Sequence, residues 1–303
     1  MIYTCTLNPA IDYFVQVDHF EAGKLNKVKS DRKMAGGKGI NVSRVLKHLG
    51  QSSKCLGFIG GFTGDFIINV LKEEGIEPSF VPVDGDTRIN VKLKSDSETE
   101  INGVAPEISE EQLGALFTKL DALTADDILV LSGSVPATLP ATIYREMMER
   151  VSSSGAKVVA DTSGEAFKEV VKAKPFLVKP NHLELGDYFN TDVKTVEDVK
   201  VYGRKLIDLG IEHVIVSMGG KGAVYIDKTN TFFAPPAKGK LVNSVGAGDS
   251  MVGGFLSEYS VSGDFRKAFR KGAAAGGATA FSVDLCAEEK VEELLPTIEV
   301  SDI

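Results

Sequence analysis

The sequence predicts an α/β fold in three αβα layers, with a mainly parallel sheet between helices and a small β-sheet lid beside it. Two observations carry this. Short β-branched apolar runs alternate with longer windows in which apolar residues recur at helical spacing, as expected of strands joined by crossover helices. Two stretches, 12–35 and 87–102, instead alternate polar and apolar residues one by one, the pattern of strands with one wet face.

Taken in order, residues 2–7 form the first strand. No basic segment of the signal-peptide kind precedes it. The first lid stretch follows, and then a helix over 39–49 whose buried side is Ile40, Val42, Val45, Leu46 and Leu49. Residues 54–59 are the next strand, and 65–74 a helix that ends at Gly75, a residue suited to a C-cap. The run Asn90-Val91-Lys92-Leu93-Lys94 typifies the second lid stretch. Helix and strand then alternate at 112–123 and 128–131, at 143–151 and 157–160, and at 203–209 and 213–217. Beyond residue 245 two Ala/Gly-rich helices, 246–259 and 265–280, have side chains small enough for close mutual packing. One domain is expected over 1–303, with both lid segments inserted in it.

The chain is 43% hydrophobic and 25% charged, ordinary values for a globular protein with a sizeable core. Its longest apolar runs, such as Ile128-Leu129-Val130-Leu131, are strand-sized, so no membrane partner is expected. Three widely spaced cysteines, Cys5, Cys55 and Cys286, make neither a metal-ligand pattern nor a disulfide framework, which points to a cytoplasmic location. A net charge of −8 disfavours nucleic acid as a partner. Residues 24–38 are the local exception: Lys24, Lys27, Lys29, Arg32, Lys33 and Lys38 stand against Asp31 alone. Such a segment suits a small anionic ligand, or equally a solvated charged face.

Four segments carry chemistry. In Asn243-Ser244-Val245-Gly246-Ala247-Gly248-Asp249-Ser250, small residues lead into a helix. Free amides and the helix dipole there make an anion site, and Asp249 beside it could accept a proton from a hydroxyl; an ordinary N-cap is the competing explanation. Ala35-Gly36-Gly37-Lys38-Gly39-Ile40-Asn41-Val42 also enters a helix. It has neither the P-loop spacing nor the third glycine of a dinucleotide fingerprint, which disfavours a nicotinamide dehydrogenase. Its glycines either expose backbone to a ligand or make a tight turn. In Val178-Lys179-Pro180-Asn181-His182-Leu183-Glu184, Asn181 and Glu184 share a helical face. They suit Mg²⁺ held through water, although the spacing alone favours a capping box. Ser217-Met218-Gly219-Gly220-Lys221-Gly222 is a nucleotide-contacting loop or a hairpin.

With these segments in this order, the chain resembles the phosphofructokinase B branch of the ribokinase-like sugar kinases. Residues 36–41 match one signature of that family, and Val245-Gly246-Ala247-Gly248-Asp249-Ser250 matches the other. Thr6-Leu7-Asn8-Pro9-Ala10-Ile11-Asp12 is similar to its phosphosugar-kinase subgroup, and most similar to members acting on fructose 1-phosphate. Asn243-Ser244 departs from the Asp-Thr of many members, and 100–102 lack an arginine that some fructose-6-phosphate kinases carry. Tagatose 6-phosphate and fructose 6-phosphate remain rival substrates, and a catalytically silent sugar-phosphate sensor is the rival class.

The resemblance implies a ribokinase-like core, ATP as co-substrate with Mg²⁺, a phosphosugar acceptor and pairing of two chains through the lid. It implies Asp249 as base, and Gly246, Ala247 and Gly248 as the anion hole. Asp12 and Asn41 would hold sugar hydroxyls beside Gly37, with Lys24, Lys38 and Arg88 on the substrate phosphate. Lys179, Asn181 and Glu184 would face the nucleotide phosphates and metal, with Ser217, Gly219, Gly220, Lys221 and Gly222 lining the nucleotide side.

Overall fold

A central strand that is apolar at every position must be covered on both faces, because successive side chains point to opposite sides. The computed structural model, which describes residues 1–303, is built on this rule. The first half of the chain contains β1 (Ile2–Thr6), β2 (Ala10–Gln16), β3 (Ser30–Gly36), α1 (Lys38–His48), β4 (Ser53–Ile59), α2 (Gly61–Glu73), β5 (Glu77–Pro78), β6 (Val81–Pro82), β7 (Ile89–Lys94), β8 (Glu98–Asn102), α3 (Glu110–Leu120), β9 (Ile128–Ser132) and α4 (Ile143–Val151). The second half adds β10 (Lys157–Asp161), α5 (Gly164–Lys172), β11 (Leu177–Val178), α6 (His182–Phe189), α7 (Val196–Asp208), β12 (His213–Ser217), β13 (Ala223–Ile226), β14 (Thr231–Ala234), α8 (Ala247–Ser262), α9 (Phe265–Ala280), α10 (Glu288–Leu294) and β15 (Ser301–Asp302).

The main sheet has 11 strands, ordered β15-β14-β13-β12-β11-β10-β9-β1-β4-β5, with β6 also on β4. It is parallel from β12 to the β4 side and antiparallel through β13, β14 and β15. Alternation along β9 shows the layering. Leu129 and Leu131 join the core beneath α3 to α7, while Ile128 and Val130 join the core beneath α1, α8, α9 and α10. Helices α8 and α9 pack as closely as their small residues allow: a Cβ on Gly254 would lie 2.6 Å from that of Ala275. Helix α7 begins earlier than the apolar periodicity indicates, because Thr195 caps it with Asp198 closing the box.

The lid is a separate four-stranded sheet, β3-β2-β7-β8. On one face Tyr13 and Val15 stand opposite Val91 and Leu93, and with Val17 they form its small apolar cluster. The other face carries Asp12 opposite Asn90 and Phe14 opposite Lys92. Strand β8 is exposed along its length.

Parallel strands bring their carboxyl ends to one edge, and ligands of open α/β sheets bind there. Thr6, Ser132, Asp161 and Ser217 end their strands at that edge, and Lys179 follows β11. The start of α1 meets the same edge, since Thr6 Oγ1 accepts the Ile40 amide at 3.1 Å.

Candidate active site

Helix α8 starts at Gly246, whose φ of 79° lies in the left-handed region where only glycine is unstrained. A side chain there would also collide with Leu285, 2.6 Å away. The amides of Gly246, Gly248 and Asp249 have no acceptor within the chain, whereas the Ala247 amide donates to the Ser244 carbonyl at 3.2 Å. Three of these amides, with the positive end of the helix dipole, form an anion-binding mouth. The loop before it is pinned at the end of α9, where Ala280 O accepts the amides of Val242 and Asn243 at 2.8 and 3.2 Å.

Asp249, in the first turn of α8, is 4% exposed. Asn41 Nδ2 donates to its Oδ2 at 2.8 Å, and Lys38 Nζ lies 3.2 Å from its Oδ1. The same ammonium reaches Asp161 Oδ2 at 3.1 Å, and Lys179 Nζ lies 3.3 Å from Asp161 Oδ1. Lys179 and Asp161 are 3% and 2% exposed, so this chain of charges is closed off from water except at Lys38. Desolvation pulls the Lys38 ammonium down, but the Asp161 and Asp249 carboxylates outweigh it and hold it above the usual lysine range. Burial pushes Asp161 up, and Lys179 with Lys38 reverses that, leaving its carboxyl below the usual aspartate range. A Cβ on Gly248 would lie 3.2 Å from Lys179 Nζ, so a second ammonium stands at the helix mouth.

The glycines at 36–39 serve packing. A Cβ on Gly36 would meet the Asp12 carboxylate at 2.3 Å, and one on Gly39 would meet Thr6 Oγ1 at 2.5 Å. Gly37, at φ 130°, faces Thr6 Cγ2 at 2.7 Å. Their absent side chains let α1 and the lid close on the end of β1. Lys38 is tied to two carboxylates, Asp161 and Asp249.

On the lid, Asn90 Nδ2 donates to Asp12 Oδ1 at 3.0 Å, and burial lifts the Asp12 carboxyl above the usual range against that bond. Asp12 shares a cleft with Phe14, Met34, Asn41, Asn243 and Gly246. Arg88 donates to the Asn8 carbonyl at 3.0 Å and to that of Pro9 at 3.4 Å, holding the 6–10 loop. Lys24 is not brought to this group: it is exposed in the β2–β3 connection and pairs with Glu21.

On the other side, Asn181 and Glu184 make the capping box of α6. Asn181 Oδ1 accepts the amides of Leu183 and Glu184 at 2.8 and 2.9 Å, and Glu184 Oε2 accepts the Asn181 amide at 2.8 Å. No three carboxylate, histidine or cysteine side chains converge as a metal cage. The free Glu184 oxygen fits a cation held mainly by water and phosphate rather than by protein. Ser217 lies beside Asn181, with its amide donating to Pro180 O at 3.2 Å, and β12 turns back into β13 as a hairpin. Gly222 is needed for packing, since a Cβ would sit 2.3 Å from Ala234 O, while side chains at Gly219 and Gly220 would meet nothing within 4 Å. Lys221 reaches the Lys194 carbonyl at 3.0 Å.

Sequence reasoning missed Asp161. The available signal was an acid at the carboxyl end of a buried strand, Val158-Val159-Ala160-Asp161.

A helix mouth with open amides, a buried ammonium beside it and an acid in its first turn define a phosphotransferase with an alcohol acceptor. The profile of the "pfkB family carbohydrate kinase" matches residues 5–290, and the chain belongs to that family. It is 52% identical over 99% of both chains to "1-phosphofructokinase" of Bacillus subtilis, and 36% identical over the full length of both to "D-tagatose-1-phosphate kinase" of Bacillus licheniformis. Among solved structures it is similar to phosphofructokinase-2 from Escherichia coli in complex with substrates and products, with a TM-score of 0.92 and 27% identity over 98% of each chain. The ribokinase-like fold and the sugar-kinase class expected from the sequence are thereby borne out. No helix is long and apolar enough to cross a membrane.

Proposed function

We propose that this kinase transfers the γ-phosphoryl group of ATP to the 6-hydroxyl of fructose 1-phosphate, giving fructose 1,6-bisphosphate and ADP. The observation that carries the chemistry is Asp249, held by Asn41 and Lys38 beside the open amides of α8. The substrate choice is supported by the 52% identical 1-phosphofructokinase. The hydroxyl oxygen forms the new P–O bond, its proton passes to Asp249, and the bond between the γ-phosphorus and the bridging oxygen breaks. The amides of Gly246 and Gly248 take up charge on the transferring group, with Lys38 and Lys179 adjoining. Asp12, at the cleft on the lid, holds sugar hydroxyls, and Arg88 faces the sugar's own phosphate.

ATP phosphates lie along Lys179, with the bare backbone of Gly219 and Gly220 on the nucleotide side. Mg²⁺ fits at Glu184 through water, where it would neutralise phosphate charge. The free edges β3 and β8 support pairing of two chains through the lid, which sedimentation at varied concentration tests.

A coupled ADP-release assay with fructose 1-phosphate, tagatose 1-phosphate and fructose 6-phosphate decides the substrate. Fructose 1-phosphate is expected to have the highest kcat/KM. Preference for tagatose 1-phosphate, as the 36% identical relative's name suggests, would keep the kinase and replace the sugar. Asp249→Asn is expected to lower kcat by about 10²–10⁴-fold. Turnover near wild type in that variant would remove Asp249 as the base.

A further inference from the structure

We infer that the turn Phe281-Ser282-Val283-Asp284-Leu285-Cys286 ties the lid to the loop 242–246 that leads into α8, here called the phosphate loop, and that buried Arg44 is the positioning residue that holds it. Arg44, on α1, is 7% exposed and takes no part in the chain of charges around Asp249. Its Nε donates to both Glu74 oxygens at 3.0 and 2.9 Å, and its Nη1 and Nη2 donate to the two Asp284 oxygens at 3.3 and 3.0 Å. Asp284 Oδ1 also accepts the Leu285 amide at 2.7 Å, so the guanidinium fixes the turn through a carboxylate that can hardly rotate.

What the turn touches on its other sides gives the clamp its use. The Val283 carbonyl accepts Arg32 Nη2 of lid strand β3 at 3.3 Å, and Asn243 Nδ2 of the phosphate loop at 3.4 Å. One acceptor thus serves both the lid and the loop that leads into α8. Leu285 fills the space beside Gly246, 2.6 Å from where a Cβ would stand. At the far end His48 Nδ1 lies 2.8 Å from Cys286 O, and the Cys286 amide donates to Thr279 Oγ1, itself 2.7 Å from Ser250 Oγ on α8. A buried ion pair is weak evidence for stability, since desolvation opposes it; its geometric exactness is what an apolar side chain could not supply. Displacing the turn would shift Asn243 and Leu285 together, and with them the open amides that follow.

The catalytic half of this inference rests on the kinase reading, so the test has two independent readouts. Wild type, Asp284→Ala, Arg44→Met and Asp249→Asn are compared in the full chain by steady-state kinetics and by amide hydrogen exchange. Asp284→Ala is expected to lower kcat by about 10-fold, with the phosphosugar KM changed by less than about threefold, because misplacing a preorganised loop acts on the chemical step. Exchange should quicken over 243–250 and 30–36 while 213–226 stays protected. Unchanged kcat and exchange in Asp284→Ala would overturn the inference, and so would acceleration spread evenly over the chain, which marks a merely structural pair. If Arg44→Met does not fold, Asp284→Ala decides alone, since its side chain is partly exposed. If the wild type phosphorylates none of the sugars, the kinase reading fails while the exchange pattern still decides the turn.

Discussion

At the carboxyl edge of the main sheet, Asp249, Lys38, Asp161 and Lys179 are joined in one series, buried except at Lys38, with each carboxylate facing at least one ammonium. On the lid, Asp12 has one amide partner, Asn90, and a neighbouring cluster of three buried apolar residues, Val15, Val17 and Leu93. The first region is rigid because two large cores clamp the strands and helices that carry it. The second has few buried contacts to resist movement. Fixed charge thus sits at the carboxyl edge of the main sheet, and a polar pair with fewer partners sits on the lid.

The sharpest way to break this comparison is to remove the centre of the buried series. Asp161→Asn leaves Lys179 as an uncompensated buried ammonium, with an expected loss of about 3–5 kcal/mol of stability. Denaturant melts check it, and a loss no larger than that of a surface substitution would show that water reaches Lys179. On the lid, Asp12→Ala is expected to leave stability nearly unchanged. It should raise the phosphosugar KM about 10-fold, the loss of a hydrogen bond to a charged group. A fall in kcat at constant KM would instead place Asp12 with the chemistry.

Acid titration should separate the two regions by sign. Asp161 is held below the usual aspartate range, so its stabilisation is present above that range and fades as pH falls through its folded value. Asp12 is held above that range by burial, so its ionisation costs stability, and the cost grows as pH rises through its folded value. Melts between about pH 3 and pH 7 should therefore show the Asp161→Asn deficit shrinking toward acid. The Asp12→Asn variant should gain on wild type above about pH 4, the ordinary aspartate value. Matching trends in the two variants would dissolve the contrast. The smallest effect is expected at Lys24, where an exposed pair with Glu21 contributes little: Lys24→Ala should change the phosphosugar KM by less than about twofold. A larger rise would mean that lid closure or a second chain carries Lys24 to the sugar phosphate.

Much of this was legible because local chemistry is repeated in the chain. The strand–helix alternation, the one-wet-face lid segments and the small residues of α8 and α9 each act over short range, and the structure follows them. The capping box of Asn181 and Glu184 was legible for the same reason, since its partners are three residues apart. Asp161 was not, because its partners Lys38 and Lys179 lie on other elements, and a lone acid at a strand end carries no spacing to read. The packing of Gly36, Gly37 and Gly39 was not legible because it depends on Thr6 and Asp12, which only folding sets against them.

By itself, then, the sequence determined the layers, the lid and the position of Asp249 at a helix start, because periodicity and capping are properties of neighbours along the chain. Tertiary structure alone decided which charges share a site and which side chain braces the Val283–Leu285 turn. Those contacts join residues as distant as Arg44 and Asp284, and their strength comes from a burial that no local pattern encodes.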